Sequence, residues 1–358
     1  MSPALARPEE VSETTAACEA AEKGFTPDTQ QECDVDLVEE IWQIQFSNDT
    51  YAYGCIPVPV VTIGSADGPR ALVVGGNHGD EFEGQVIARR LVPELRRHRL
   101  HGRVTLLPSL NFPAVLQQSR TSPADGQNLN RSFPGATGAG PTAAIALTVS
   151  QKVLPQCDFA IDLHSGGRVS RWLPSGFVRL TATDSARRRE DKLRAARILG
   201  LPDVLVVGEE SDDRSLSAQC DRAGLLSVAA ELGGGATVES PLVEIVLKGV
   251  LRLLTHWGVI EDDGSPHELP DPPRLLALHG GDQVVMARQH GLFEPTCEVG
   301  DDVDAGQPLG RLYSLERPAA EPTVVRSTSP GVVAIRRLSP VVVPGDYLFT
   351  VATPWSDE

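Results

Sequence analysis

Short apolar runs alternate with stretches of helical periodicity over most of this chain, and the alternation predicts an α/β domain. Several runs, such as the one at 71–76, are continuously apolar, which is typical of parallel strands that are buried on both faces. We therefore expect a largely parallel sheet with helices beside it. The predicted strands are 58–64, 71–76, 104–107, 159–163, 201–207 and 225–231, and the predicted helices are 82–98, 141–154 and 240–257.

The pattern changes at both ends of this domain. Residues 1–40 are polar, acidic and rich in Ala and Thr, and they predict a poorly ordered or loosely helical arm. Residues 41–265 hold the α/β pattern, and a Pro-rich linker follows them. Residues 271–358 consist of short apolar runs broken by Gly-Asp and Pro-Gly turns, which is typical of a small all-β domain.

Composition argues for a folded protein and against two classes of partner. The 358 residues are 41% apolar and 22% charged, which supplies ample material for a sizeable core. Their net charge is −16, whereas a nucleic-acid-binding protein is expected to carry a basic face. No apolar run approaches the length of a membrane-spanning helix. We therefore expect neither a nucleic acid nor a membrane as a partner.

Targeting and cysteine patterns predict a cytoplasmic protein. The N-terminal residues lack the basic-then-apolar pattern of a secretory signal. The 6 cysteines are widely spaced and form no CxxC pair, which argues against both a disulfide framework and a thiolate metal site. We therefore expect reduced thiols. The sequence does not determine the oligomeric state, and it is compatible with a homo-oligomer.

The first candidate site follows the predicted strand at 71–76. His78 and Glu81 are three residues apart, so on the first turn of a helix they project to one side. An imidazole and a carboxylate held in this way can share one Zn²⁺. The alternative is a plain helix start at which Glu81 complements the helix dipole.

Two further candidates also lie where apolar strands end. Asp162 and His164 are two residues apart on a strand and point to one side, which suits a carboxylate that orients a ligating imidazole. Together with His78 and Glu81, His164 completes a His₂Glu set that leaves the fourth position of zinc open. Glu231 ends another buried run, where partial desolvation raises the pKa of a carboxyl toward that of a general base. The alternatives are a structural histidine and an acid that accepts hydrogen bonds from loop amides.

The fourth candidate lies in a polar segment at 128–135. Arg131 offers a planar pair of donors suited to a substrate carboxylate, and Asn130 adds a further donor. Arg120, ten residues before Asn130, is a candidate cation for a developing oxyanion. A solvated surface position is the alternative for either arginine.

These four segments, in this order, resemble the succinylglutamate desuccinylase/aspartoacylase family of the zinc carboxypeptidase superfamily, over the chain from about residue 56 onward. The segments Asp-Leu-His-Ser-Gly-Gly at 162–167 and Asn-Leu-Asn-Arg at 128–131 are most similar to ectoine-degradation deacetylases, which act on Nα-acetyl-L-2,4-diaminobutyrate. The resemblance implies a zinc-carboxypeptidase-like α/β fold with a mixed, mainly parallel sheet flanked by helices. It also implies a small C-terminal all-β domain that caps the cleft.

The resemblance assigns a role to each candidate residue. It implies one Zn²⁺ per chain, a catalytic carboxylate with an assisting arginine, and a pair of side chains that holds the substrate α-carboxylate. These are His78, Glu81 and His164 for the metal, Glu231 and Arg120 for catalysis, and Asn130 and Arg131 for the substrate. Acids near Asp212 are candidates for the side-chain ammonium of diaminobutyrate, with a solvated loop as the alternative.

The expected function is a zinc-dependent deacylase of a small N-acyl amino acid, with Nα-acetyl-L-2,4-diaminobutyrate of ectoine catabolism as the first choice of substrate. The main alternative keeps the chemistry and changes the substrate, for example to N-acetylaspartate, N-succinylglutamate or a biosynthetic intermediate. A peptide carboxypeptidase is disfavoured by the expected cap. A non-catalytic binding protein is disfavoured because the metal ligands and Glu231 are all retained.

Overall fold

The computed structural model describes residues 36–47, 52–209, 211–262, 264 and 271–356, which belong to one compact unit. Its strands are β1 (Leu37–Phe46), β2 (Gly54–Gly64), β3 (Arg70–Gly75), β4 (Arg103–Leu107), β5 (Phe159–His164), β6 (Ser170–Trp172), β7 (Ser175–Arg179), β8 (Asp203–Val207), β9 (Leu226–Glu231), β10 (Arg274–Leu278), β11 (Val284–Met286), β12 (Gly291–Pro295), β13 (Asp302–Val303), β14 (Pro308–Tyr313), β15 (Thr323–Arg326), β16 (Gly331–Arg337), β17 (Val341–Val342) and β18 (Tyr347–Pro354). Its helices are α1 (Glu83–Leu95), α2 (Phe112–Gln117), α3 (Pro141–Thr148), α4 (Ala186–Ile198), α5 (Leu216–Arg222) and α6 (Ser240–His256).

Most of these strands form one mixed, 14-stranded sheet within the described residues. Its main path is β1-β2-β4-β3-β5-β9-β7-β8-β10-β18-β16-β13, with β11 beside β18 and β6 beside β16. The neighbours β4, β3, β5 and β9 are parallel, as are β7, β8 and β10, and the two groups meet at the antiparallel pair of β7 and β9. The predicted α/β fold with a mixed sheet is confirmed, and pairing is mainly parallel among β3, β4, β5, β7, β8, β9 and β10.

Helices cover both faces of the parallel part of the sheet. Successive residues of β3 face opposite sides, so Val73 belongs to one hydrophobic core and Leu72 to the other. The first core lies beneath α1, α4 and α6, and the second lies beneath α3 and α5. On α6 the buried residues Val243, Val246 and Val250 recur at the spacing of one helix face, as the sequence predicts.

Two predicted boundaries differ from the structure. The limit of the N-terminal arm at residue 40 is wrong, because β1 begins at Leu37 and pairs with β2 along its whole length. Trp42 and Ile44 of β1 pack on the second core, which holds the strand in place. The helix expected at 141–154 is α-helical only as far as Thr148 and continues as a π-helical segment at Val149–Val153. A 3₁₀ turn with Pro155, a residue without the N–H that would continue the helix, follows at Leu154–Gln156. Residues 1–35 of the expected arm lie outside the described residues.

The C-terminal part is all-β, as predicted. Strands β12, β14, β15 and β17 form a separate 4-stranded antiparallel sheet, whereas β16 and β18 belong to the large sheet. Strand β10 pairs in parallel with β8 and antiparallel with β18, so the large sheet runs across the boundary expected between 41–265 and 271–358. That boundary stays a prediction. No helix in the described part of the chain is long and apolar enough to cross a membrane.

Candidate active site

The candidate site lies where three neighbouring parallel strands end. His78 follows the end of β3 by three residues, and His164 is the last residue of β5. Glu231 is the last residue of β9 and the register partner of His164. Ligand sites of α/β sheets are usually found at this carboxyl edge. The topology of the sheet therefore brings together segments that are far apart in the sequence.

A close approach between α1 and β5 brings the segments into contact. A Cβ atom added to Gly84, in the first turn of α1, would lie 2.6 Å from the Cβ of Leu163 and 2.5 Å from its carbonyl oxygen. Only a glycine fits at this distance. The start of α1 consequently packs against the end of β5, and Glu81 reaches His164.

Glu81 lies between the two histidines and faces one nitrogen of each ring. Its Oε1 is 2.7 Å from Nδ1 of His78, and its Oε2 is 2.7 Å from Nδ1 of His164. All three side chains are buried, and their ligand atoms lie within 4.8 Å of one another. The structure thus unites the three residues that the sequence predicts as metal ligands.

The second nitrogen of each ring faces an oxygen. Nε2 of His164 is 2.9 Å from Oδ2 of Asp162, as the strand spacing predicts, and Nε2 of His78 is 3.1 Å from Oδ1 of Asn128. In the neutral rings that metal binding requires, a proton on each Nε2 would satisfy these contacts and leave a lone pair on each Nδ1. The sequence pattern does not predict the contact of Asn128 with His78, although Asn128 lies in the same polar segment as Asn130, two positions before it.

Burial and neighbouring charges shift the pKa values in this cluster. Burial lowers the pKa of His78, which favours the neutral ring that metal binding requires. Burial opposes the charged form of His164 as well, but Asp162 and Glu81 raise its pKa well above the ordinary value. For Glu81, burial is outweighed by the two imidazoles, which lower its pKa below the ordinary value. The cluster therefore favours a charged carboxylate at its centre.

The carboxyl group of Glu231 lies beside this cluster and has an oxygen available to accept a hydrogen bond. Burial raises its pKa well above the ordinary value, and the nearby carboxylate of Glu81 adds to the effect. Its Oε2 is buried and has no hydrogen-bond partner within the described part of the chain. A raised pKa and an unpartnered oxygen are what a general base at neutral pH requires.

Arg120 reaches the same cluster despite its distance in sequence from Asn130. The chain turns back after α2, and the N–H of Gly79 donates to the carbonyl of Ser119 at 2.9 Å. Nη1 of Arg120 consequently lies 3.3 Å from Nδ1 of His78 and 3.3 Å from Oε1 of Glu81. Its side chain is 47% exposed, so it borders both the cluster and solvent.

Asn130 and Arg131 lie on the other side of the cluster, in a short 3₁₀ turn at Leu129–Arg131. Nδ2 of Asn130 is 3.4 Å from Nε2 of His164, and Nη1 of Arg131 donates to the carbonyl of Asn130 at 2.7 Å. Nε of Arg131 lies 2.9 Å from Oδ2 of Asp212. The sequence suggested no contact between Asp212 and Arg131.

A cavity of about 150 Å³ is lined by most of these side chains, namely His78, Glu81, Arg120, Asn130, Arg131, His164, Asp212 and Glu231. Phe177 and Arg179 of β7 face it together with Ala229 and Glu231 of β9, because side chains two residues apart on a strand share a face. Its lining lies entirely between His78 and Glu231 in the sequence. The C-terminal part affects the cavity through β6, which pairs with β16 and supplies Trp172 to the lining.

The donor set fits zinc. Two imidazole nitrogens and one carboxylate are the ligands of catalytic sites that leave a fourth position open. Each imidazole is backed by an oxygen, as metal-bound histidines usually are. His78, Glu81 and His164 are the residues that would hold the ion, and the cavity beside them gives the fourth position access to a small molecule.

Comparison with known proteins agrees with the fold. Residues 67–257 match the model of the succinylglutamate desuccinylase/aspartoacylase catalytic domain. This chain belongs to that family, as the sequence resemblance predicts. It is 35% identical over 311 residues to the N-alpha-acetyl-L-2,4-diaminobutyric acid deacetylase of Halomonas elongata, a match that covers 87% of this chain and 90% of the relative.

Solved structures of similar proteins have the same architecture. A succinylglutamate desuccinylase/aspartoacylase from Rhodobacter sphaeroides superposes with a TM-score of 0.80 at 30% identity, and the match covers 89% of this chain and 96% of the other. The product-bound ectoine utilization protein EutE (DoeB) from Ruegeria pomeroyi gives a TM-score of 0.82 at 29% identity, with 88% and 95% covered. The likeness therefore includes the C-terminal β strands as well as the catalytic domain.

Proposed function

We propose that this protein is a zinc-dependent amidohydrolase that removes the acyl group from a small N-acyl amino acid. Its proposed substrate is Nα-acetyl-L-2,4-diaminobutyrate, and its products are diaminobutyrate and acetate. The observation that carries the proposal is a buried His-Glu-His donor set beside Glu231, whose pKa is raised and whose Oε2 has no partner among the described residues.

The side chains around the cavity supply the parts that amide hydrolysis requires. A Zn²⁺ ion held by His78, Glu81 and His164 would supply a water molecule of lowered pKa and a Lewis acid for the acyl carbonyl. Glu231 takes a proton from the attacking water and passes it to the leaving amine. Arg120 directs its guanidinium toward the same region and stabilises the negative charge that develops on the acyl oxygen. Asp162 and Asn128 keep the two imidazoles in their orientations.

The cavity favours a small amino-acid derivative. Arg131 and Asn130 line it and would hold a free α-carboxylate, which an internal peptide residue lacks. Its volume of about 150 Å³ is small beside the roughly 300–1,000 Å³ of typical ligand pockets. The names of the Halomonas elongata relative and of the Ruegeria pomeroyi structure support a substrate from ectoine utilization.

One feature of the wall favours a second substrate class. Arg179 lines the cavity, and a cation there suits an acidic side chain such as that of N-acetylaspartate or N-succinylglutamate. Its Nη1 already donates to Asp221 at 3.2 Å and its Nε to Ser211 at 2.9 Å. Because Asp221 and Ser211 already engage two nitrogens of this guanidinium, acidic substrates are the second choice.

A panel of substrates tests the proposal. Amine release by the zinc-loaded protein is measured from Nα-acetyl-L-2,4-diaminobutyrate, N-acetyl-L-aspartate, N-succinyl-L-glutamate and a dipeptide. The proposal expects the highest kcat/KM for the first, by about tenfold or more. A preference for the acidic compounds would support the second class, and cleavage of the dipeptide alone would support a carboxypeptidase. No release from any of them by protein that holds zinc would contradict a deacylase.

A further inference from the structure

One loop holds both side chains proposed to bind the substrate carboxylate. The 211–216 loop leads into α5 beside the turn that carries Asn130 and Arg131. At one end of the loop, the N–H of Leu216 donates to Oδ1 of Asn130 at 2.8 Å. Near its start, Oδ2 of Asp212 forms an ion pair with Nε of Arg131 at 2.9 Å. The amide and the guanidinium are therefore oriented by the same segment.

Arg214 holds the acid of this loop in place. Its Nε donates to Oδ1 of Asp212 at 3.0 Å, and its Nη2 donates to Oδ2 at 2.8 Å. Its backbone N–H donates to the same Oδ1 at 2.9 Å, and its carbonyl accepts from the N–H of Phe133 at 3.1 Å. The loop is thus docked on the turn that bears Arg131 by both backbone and side-chain contacts.

Three hydrogen bonds and one ion pair engage the carboxylate of Asp212. A carboxylate has about four lone-pair sites. Oδ1 accepts from the backbone and Nε of Arg214, and Oδ2 accepts from Nη2 of Arg214 and pairs electrostatically with Nε of Arg131 at 2.9 Å. The hydrogen bond from Arg214 is the largest cause that lowers the pKa of Asp212 to about 2, so the acid stays charged at neutral pH. Little capacity remains for a substrate ammonium.

Arg131 is constrained by the same contacts. Its Nε is engaged by Asp212 and its Nη1 by the carbonyl of Asn130 at 2.7 Å, which together fix the plane of the guanidinium. The side chain lines the cavity and is 40% exposed, so without such contacts a long arginine would sample many rotamers. Fixing it in advance reduces the entropy that binding a carboxylate would cost.

We propose that Asp212, held by Arg214, is a positioning residue that fixes the guanidinium of Arg131 for the substrate α-carboxylate. Asp212 does not hold the side-chain ammonium. This inference rests on the proposed function, because it takes an N-acyl amino acid as the ligand of Arg131.

The test replaces Asp212 with asparagine and follows binding and turnover separately. D212N keeps the shape of the side chain and removes its charge. It is expected to raise KM for Nα-acetyl-L-2,4-diaminobutyrate by about tenfold, while kcat changes less than about twofold. D158N is the matched control, because Asp158 also makes a two-pronged pair with an arginine, Arg70, but lies at the other edge of the sheet. The control is expected to leave KM unchanged.

Two substrate pairs separate the roles that Asp212 could have. The first pair is Nα-acetyl-L-2,4-diaminobutyrate and its α-carboxamide. We expect D212N to prefer the compound with the free carboxylate less strongly than the wild type does. The second pair is Nα-acetyl-L-2,4-diaminobutyrate and Nα-acetyl-L-2-aminobutyrate, which lacks the ammonium. We expect D212N to raise KM for both compounds by the same factor. An unchanged preference for the acid would overturn the inference. So would a loss confined to the substrate with the ammonium.

A binding measurement keeps this inference distinct from the proposed function. Calorimetric titration of Nα-acetyl-L-2,4-diaminobutyrate into Glu231→Gln protein, with and without D212N, needs no turnover. Weaker binding with D212N would support the inference, whether or not the wild type hydrolyses the compound. Absence of hydrolysis by the wild type would count only against the proposed deacylase activity. If D212N does not fold, R214Q tests the same chain of contacts, and R214Q with unchanged KM would overturn the inference.

Discussion

The side chains behind each imidazole determine which nitrogen can bind a metal. Asn128 and Asp162 each face an Nε2, so both rings present Nδ1 to Glu81. Neither residue lies among the three ligands, yet both act on them directly. A hydrogen-bond partner behind a ligating histidine fixes the orientation of the ring and raises its basicity, so its mutation commonly lowers metal affinity.

The first prediction concerns Asn128, whose contact the sequence did not suggest. N128A removes the oxygen behind His78 and is expected to weaken zinc binding by about 10- to 100-fold, because the ring loses its fixed orientation. Competition with a chromogenic chelator measures the affinity, and D158N, a substitution far from the site, is the control. Zinc affinity in N128A equal to that of the wild type would show that Asn128 has no such role.

The second prediction concerns Glu231. Glu231→Gln keeps the size of the side chain but cannot accept the proton, so kcat should fall by about 10²- to 10⁴-fold. The zinc content should stay the same, because Glu231 is not among the predicted ligands. Steady-state kinetics and metal analysis on one preparation measure both, and Glu244→Gln on the exposed face of α6 is the control. Turnover close to that of the wild type would rule out Glu231 as the base.

At the scale of elements, the sequence predicts the parts of the fold that depend on apolar runs. β3, β5 and β9 are recognisable because they are buried on both faces, and their ends locate His78, His164 and Glu231. The apolar periodicity does not predict α4, because Arg187, Arg188 and most of the other residues of this helix are charged. Its residues are nevertheless good helix formers, and Oγ of Ser185 caps its start by accepting from the N–H of Arg188 at 3.2 Å.

A buried charge cluster holds α4 to the sheet. Lys192 is 1% exposed, and its Nζ lies 2.9 Å from Oδ2 of Asp184 and 2.8 Å from Oδ1 of Asp221. It also donates to the carbonyl of Arg179 at 2.9 Å. Single-sequence patterns cannot reveal such a lysine, since it resembles any surface residue of a polar helix.

The third prediction follows from this cluster. Lys192→Met removes the buried ammonium that contacts both Asp184 and Asp221, while Arg188 still pairs with both, so the free energy of unfolding should fall by on the order of 2 kcal/mol. Urea unfolding measures the difference. Lys248→Met, which removes an exposed lysine of α6, should cost less than about 0.5 kcal/mol. Equal effects of the two substitutions would contradict the role given to Lys192.

The contacts around the substrate pair also exceed what the sequence can predict. Arg131 was identified from its residue type and its segment, but its contact with Asp212 joins positions 81 residues apart. No periodicity encodes such a pair. It depends on how the 211–216 loop docks on the turn that carries Asn130, which only the folded chain determines.

At the scale of the whole molecule, the C-terminal strands complete the large sheet. β10 covers the outer edge of β8, and Leu276 and Leu278 share a hydrophobic core with Leu205 and Val207. β16 pairs with β6, whose residue Trp172 lines the cavity. We expect the C-terminal part to shape the cleft through β6, which refines the cap that the resemblance implies.

The fourth prediction concerns removal of this part. A chain that ends at residue 270 leaves the edge of β8 unpaired and exposes Leu205 and Val207. We expect it to aggregate or to unfold without a cooperative transition, as followed by circular dichroism against the full-length chain. A truncated chain that unfolds cooperatively and keeps its substrate selectivity would contradict both the structural role and the cap.

The central claim is that this molecule hydrolyses an N-acyl amino acid with the help of zinc. The most direct measurement is amine release from Nα-acetyl-L-2,4-diaminobutyrate by one protein preparation in three states: zinc-loaded, chelator-treated and reloaded. The account predicts fast release that the chelator abolishes and that zinc restores, with about one zinc per chain. A protein that binds no zinc, or that releases amine equally well after chelation, would contradict it.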